Sequence, residues 1–286
     1  MPELGKIGVI GAGTMGNGIA QVCALAGCSV VLRDLAKPAL DRARDTMRGS
    51  LARQVKKGMI AETDADAALA RVTFTTDVGD MADRDIVIEA IVEKLEIKAA
   101  VIRELDAICA ETAILASNTS SISLTELAAA SAHPGRVIGM HFFNPVPVMQ
   151  LVEIIRALQT TDLVAEAVTD LTRAIGKTPR VSKDSYGFIV NRLLAPQINE
   201  AINCVYEGLA TPEDIDSMMK LGANHPMGPL ALGDLIGLDV VLNIMETLYN
   251  GFDDPKYRPS PLLKQMVAAG YLGRKTGKGF AEYPPR

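Results

Sequence analysis

The sequence has no surplus of basic charge. Its 286 residues carry a formal net charge of −5, and the charges of its helix-like segments are mixed in sign, the ordinary pattern of a solvated face. A nucleic-acid partner therefore has no support. Cysteine is sparse. Cys23, Cys28, Cys109 and Cys204 show no paired ligand spacing, so no metal site is expected, and each sits in an apolar context that suits a small core residue in a reducing compartment. No apolar run is long enough to span a bilayer. No basic-then-apolar leader precedes the first strand-like run. The expectation is a cytoplasmic protein with no membrane partner. Repeats and low-complexity segments are lacking too. Histidine is limited to three positions. His133 precedes a proline in a loop and reads as surface. His225 sits in a proline turn and reads as structural. His141 is left as the candidate proton carrier.

What is present is a chain 48% hydrophobic, enough for a substantial core in one large domain or two moderate ones. Its organising stretch runs from His141 to Ile155 and reads as a strand, a loop stiffened by Pro145 and Pro147, and a second strand. Glu153 is flanked by Leu151, Val152, Ile154 and Ile155. A strand apolar on both faces is usually buried on both, and a buried carboxylate is costly unless paired. His141 is its nearest candidate partner, and the two read as a general base and its orienting acid.

At the N-terminal end, Lys6 to Ile10 is a short apolar run that enters Gly11-Ala12-Gly13-Thr14-Met15-Gly16. A helix pattern follows, then the strand Ser29 to Arg33, closed by Asp34, 18 residues past Gly16. Gly11 permits the tight turn, Gly13 lets the backbone approach a pyrophosphate, and Gly16 lets helix and strand pack closely. The helix N-terminus offers N–H groups and a positive dipole end. Asp34 suits a ribose diol and would repel a 2′-phosphate, which favours NAD over NADP. Strand, turn, helix and acid together make this a dinucleotide-binding motif and not a lone glycine turn.

Leu35 to Lys57 reads as a long helix with a basic end. Basic residues there are commonly dipole partners, although they also suit a phosphate-bearing substrate. Val72 to Thr75 and Asp85 to Ile91 read as strands, the second nearly all apolar as a central parallel strand should be. Glu93 follows at its carboxyl end, and Lys98 lies early in the next helix. Ala113 to Ser117 is a further strand, running into Asn118-Thr119-Ser120-Ser121. Ligands of doubly wound sheets bind at strand carboxyl ends, so Glu93, Lys98 and these small polar residues are candidates. The polar run equally suits an N-cap for a helix near Thr125. Thr161 to Ile175 reads as an amphipathic helix, and Thr178 to Ser182 as a last strand.

From Tyr186 onward strand signals stop. Gly187 to Gly208 reads as one long helix with a kink expected at Pro196, Thr211 to Met219 as a capped helix, and Gly228 to Tyr249 as another long helix. Asn191 falls on the apolar stripe of Leu194, Ile198 and Ile202 and needs partners. It either ties helix to helix or points into an interdomain cleft. The expected architecture is an α/β Rossmann-type doubly wound sheet over residues 1–184 and an all-α domain over residues 185–286, with a site between the two.

The glycine turn, Ser117 to Ser121, His141 to Glu153, Gly187 to Arg192, the turn His225 to Pro229 and the tail Lys275-Thr276-Gly277-Lys278-Gly279-Phe280 together resemble the L-3-hydroxyacyl-CoA dehydrogenase family, over the whole chain. The resemblance implies the following roles. His141 is the catalytic base and Glu153 its partner. Ser120 and Asn191 hold the substrate oxygen. Gly11, Gly13, Thr14, Met15, Gly16, Asp34, Glu93, Lys98, Asn118, Ser120, Asn144 and Lys275 contact NAD. Ser50 and Lys57 contact CoA, which turns the reading of the basic helix end away from a plain dipole partner. It also implies an acyl-CoA substrate and a homodimer through the helical domain.

Two rivals share the layout. A β-hydroxyacid dehydrogenase acting on a free acid resembles this plan but places a lysine four residues before the helix asparagine, where this chain has Gly187. A non-catalytic NAD- or acyl-CoA-binding relative would have no need of His141 and Glu153, and both are present.

Overall fold

The computed structural model describes residues 4–284. It divides into two compact units, one ending at Ser185 and the other beginning at Tyr186. The first unit alternates strands and helices. In order they are β1 (Lys6–Ile10), α1 (Thr14–Leu25), β2 (Ser29–Arg33), α2 (Lys37–Lys56), α3 (Glu62–Ala70), β3 (Val72–Thr75), β4 (Ile86–Glu89), α4 (Leu95–Ile108), β5 (Ile114–Ser117), α5 (Leu124–Ala128), β6 (Val137–Phe142), β7 (Leu151–Arg156), α6 (Asp162–Ala174) and β8 (Thr178–Lys183).

These strands form one eight-stranded sheet in the order β3-β2-β1-β4-β5-β6-β7-β8. Every pairing is parallel except β6 with β7, which is antiparallel. The first six strands in that order are the dinucleotide-binding arrangement, which reverses direction of travel between β1 and β4. All of β4, β5 and β6 is buried, as strands covered on both faces must be. The core joins Ile7, Val9, Val30, Leu32, Ile86, Ile88 and Ile138 of the sheet to Ile19 and Cys23 of α1, Met47 and Leu51 of α2, and Val168 and Leu171 of α6.

The helix near Thr125 is α5, and its cap is Ser123, whose hydroxyl accepts the N–H of Glu126 at 3.3 Å. The polar run Asn118 to Ser121 is therefore not that cap. A helix absent from the sequence reading, α3, precedes β3. The last strand runs one residue past Ser182, to Lys183.

The second unit is helical: α7 (Val190–Tyr206), α8 (Pro212–Gly222), α9 (Pro229–Ile236), α10 (Leu238–Phe252) and α11 (Pro261–Ala268). Ile198, Ile202, Leu230, Leu238, Val241, Met245, Leu248 and Leu263 form its core. Two expectations are corrected here. The segment Gly228 to Tyr249 is not one helix, because Gly237 takes φ +107° and separates α9 from α10. Glycine alone adopts that conformation without strain. The first long helix starts at Val190 and not at Gly187, because Gly187 and Phe188 both have positive φ. Pro196 lies inside α7.

Candidate active site

Two strand ends of the first unit carry the most concentrated chemistry. In β6 and β7, His141 and Glu153 are register partners across the antiparallel pair. His141 Nδ1 lies 2.8 Å from Glu153 Oε2. Both side chains are buried, with 7% and 4% of their surface exposed. A carboxylate at that depth needs such a partner. The contact engages Nδ1 and leaves Nε2 as the ring nitrogen on the side away from Glu153. The ring of Phe143 lies 4.4 Å from the imidazole, centroid to centroid.

The loop beyond β6 carries Asn144, which is exposed. It is held from below by Lys177, whose ammonium donates to the carbonyls of Val146 at 2.7 Å and Met149 at 2.8 Å. Burial pushes the pKa of Lys177 down from the ordinary lysine value.

The second concentration lies beyond β4 and β5. Glu93 Oε1 faces the hydroxyl of Thr119 (2.6 Å), the N–H and hydroxyl of Ser120 (2.8 and 3.1 Å) and the N–H and hydroxyl of Ser121 (both 3.1 Å). Its other oxygen is 3.3 Å from the Lys98 ammonium. Burial alone would raise the Glu93 pKa, but the Lys98 charge and the donors from Thr119 and Ser120 outweigh it and hold it below the usual range. Lys98 itself is 1% exposed and lies 2.7 Å from Glu89 Oε1. Asn118 Oδ1 accepts the N–H of Phe142 at 2.9 Å, which ties the Ser120 turn to the strand that carries His141.

The glycine turn lies between β1 and α1. Gly11 takes φ +101°. A Cβ on Gly16 would fall onto the carbonyl oxygen of Gly11, whereas one on Gly13 would meet nothing within 4 Å. So Gly16 is set by internal packing, and Gly13 faces open space that a ligand backbone can enter. No side chain caps the N-terminus of α1, and no acid lies in its first turn, where Thr14 and Met15 sit. That end is suited to an anion. Asp34, half-buried beyond β2, accepts the N–H of Ala12 at 2.8 Å and of Ala36 at 3.1 Å. The first of these contacts ties the glycine turn to the end of β2. These features fit a dinucleotide.

The remaining candidates are described on their own elements. Ser50 is half-buried on α2, and Lys57 is exposed as its C-cap. Asn191 is half-buried in the first turn of α7. Lys275 is exposed on the loop after α11 and pairs with Asp239.

One residue escaped the sequence reading. Glu89 is 0% exposed at the end of β4. Like Glu153, it is an acid inside an apolar strand.

Comparison with known proteins agrees with this layout. Residues 6–185 match the model of the 3-hydroxyacyl-CoA dehydrogenase NAD binding domain, and residues 187–283 that of the 3-hydroxyacyl-CoA dehydrogenase C-terminal domain. A probable 3-hydroxybutyryl-CoA dehydrogenase of Deinococcus radiodurans is 55% identical over 279 residues, 97% of this chain and 100% of that protein. The human mitochondrial hydroxyacyl-coenzyme A dehydrogenase is 43% identical over 282 residues, 96% of this chain and 90% of that one. The crystal structure of (S)-3-hydroxybutyryl-CoA dehydrogenase from Ralstonia eutropha superposes with a TM-score of 0.96 at 53% identity, covering 99% of this chain and all of that one.

Proposed function

The chain belongs to the 3-hydroxyacyl-CoA dehydrogenase family, and from that premise we propose that it interconverts (S)-3-hydroxybutyryl-CoA, or a similar short-chain 3-hydroxyacyl-CoA, with acetoacetyl-CoA. NAD bound at the glycine turn supplies the hydride acceptor. His141 takes the proton of the 3-hydroxyl through Nε2, and Glu153 fixes the tautomer and steadies the imidazolium. In the reducing direction His141 returns that proton to the ketone oxygen. Ser120 and Asn191 donate hydrogen bonds to the same substrate oxygen, where charge develops. Ser50 and Lys57 take the CoA moiety. Asn118, Asn144, Glu93, Lys98 and Lys275 serve the cofactor.

The observation that carries the reading is the buried 2.8 Å contact between His141 and Glu153. A protein that only bound NAD or acyl-CoA would have no use for an oriented proton carrier. The 55% identity with a probable 3-hydroxybutyryl-CoA dehydrogenase supports the substrate class. The functional protein is taken as a cytoplasmic homodimer through the helical unit. Exposed apolar side chains there, Leu193 at 70% and Leu221 at 88%, support the dimer. No helix among the described residues is long and apolar enough to cross a membrane.

The test is NADH oxidation with acetoacetyl-CoA, run against longer 3-ketoacyl-CoAs and free semialdehydes and repeated with NADPH. The expected outcome is turnover of acetoacetyl-CoA with NADH preferred. Turnover confined to the free acids would overturn the CoA reading.

A further inference from the structure

Glu89 is ionisable, wholly buried and unused by the mechanism above. It ends β4 with 0% exposure. Its Oε1 accepts the N–H of Ile91 at 2.6 Å and lies 2.7 Å from Lys98 Nζ, and its Oε2 accepts the hydroxyl of Ser117 at 2.7 Å. Ser117 is its register partner on β5. A buried ion pair is a poor device for stability, since apolar side chains of similar volume do as well. The arrangement calls for another account.

Lys98 is one cation between two carboxylates, Glu89 at 2.7 Å and Glu93 at 3.3 Å. The shorter contact is to the residue with no other task. Glu93 is thereby left divided. One oxygen faces Lys98, and the other faces the N–H groups and hydroxyls of Thr119, Ser120 and Ser121. Were Glu89 uncharged, Glu93 would be the sole counter-ion of a buried ammonium. Attraction in a low-dielectric interior is strong, and it would draw Glu93 toward Lys98 and off the turn. A second route runs through Ser117, which donates to Glu89 and accepts the N–H of Thr119 at 3.3 Å. Glu89 thus reaches the Thr119–Ser120 turn by two routes.

We propose that Glu89 is a positioning residue for Ser120: by sharing Lys98 and holding Ser117, it keeps Glu93 on the turn and the Ser120 hydroxyl in place. The proposal rests on the reading of Ser120 as a donor to the substrate oxygen.

A double-mutant cycle on the full-length protein tests it. Glu89→Gln keeps the shape and removes the charge. Coupled neighbours fail to add, whereas independent sites add. Glu89→Gln is expected to lower kcat for acetoacetyl-CoA reduction about tenfold with Ser120 present, and less than about twofold in the Ser120→Ala background. Equal losses in the two backgrounds, or no loss in either, would overturn the proposal. A crystal structure of the Glu89→Gln variant gives a readout independent of turnover. Glu93 Oε1 is expected to have left the Ser120 N–H and hydroxyl, and retention of both contacts would overturn the proposal. If Glu89→Gln does not fold, Ser117→Ala leaves every charge in place. It is expected to show the same dependence on Ser120 with a smaller loss, about threefold. Should Ser120→Ala turn over as fast as the parent, the reading of Ser120 fails, and the crystal structure still decides whether Glu89 holds Glu93 on the turn.

Discussion

His141 and Glu153 face each other across the antiparallel pair of β6 and β7, with Nδ1 2.8 Å from Oε2. Among the described residues, this is the one antiparallel pairing of the sheet. Backbone register, and not a flexible loop, therefore fixes the spacing of the imidazole and the carboxylate. The β6–β7 loop between them is pinned at Val146 and Met149 by Lys177, just before β8.

That register makes the pair separable from cofactor binding. His141→Ala is expected to lower kcat by about 10²- to 10⁴-fold, the usual worth of a placed proton carrier. Glu153→Gln keeps the volume but removes the charge that favours the imidazolium, and a loss of about 10²-fold is expected. Both variants should bind NADH as the parent does, because the glycine turn belongs to β1 and α1. Steady-state kinetics with acetoacetyl-CoA and a fluorescence titration with NADH check this. A variant that kept full turnover would refute the assignment of the base.

The glycines of the turn separate packing from binding. Gly13 has an ordinary φ of −69°, and an added Cβ meets nothing within 4 Å. Gly13→Ala is expected to fold with a Tm within about 2 °C of the parent while weakening NADH about tenfold or more, some 1.4 kcal/mol per factor of ten, because the methyl stands where a pyrophosphate approaches. Gly16→Ala drives its Cβ into the Gly11 carbonyl. It is expected to lower stability by about 1–3 kcal/mol or more. Thermal melts with and without NADH distinguish the two. A Gly13 variant that melts early but binds normally would reverse the argument.

The chain's first βαβ passage is legible in the sequence because its determinants are local: a turn that only glycine makes, a helix directly behind it, an acid after the next strand. The His141–Glu153 pair is legible for a different reason, the cost of an acid in an apolar run. Ile86-Val87-Ile88-Glu89 has the same pattern, an acid in an apolar run, but no histidine stands near it in sequence to suggest a partner. The helix α3 has few large apolar residues, so its alanines and acids gave no amphipathic contrast. Gly237 broke what reads as one helix because a lone glycine in an apolar pattern does not announce its φ. The cap at Ser123 was masked by the four polar residues before it, of which Thr119, Ser120 and Ser121 donate instead to Glu93, 27 residues before Ser120. No local pattern encodes that contact.

Asp106 on α4 ties the helix to the segment before β6. It accepts the Ser131 hydroxyl at 2.7 Å, the Ala132 N–H at 2.7 Å and the Arg136 guanidinium at 2.6 Å. Burial alone would raise its pKa. The Ser131, Arg136 and Ala132 donors outweigh that and hold it at about 2, against 3.8 for an ordinary aspartate. The folded value is the lower one, so the contribution to stability is complete above pH of about 4 and is lost as pH falls through about 2. The gap corresponds to about 2 kcal/mol. Asp106→Asn is expected to lower the unfolding free energy by about that amount at pH 7. The deficit should shrink between pH 4 and pH 2, because a protonated aspartate and an asparagine are then alike in charge and shape. Urea denaturation of parent and variant across that range checks the sign. A deficit that stayed constant down to pH 2 would mean that the carboxylate charge contributes nothing and that the lost contacts are purely steric.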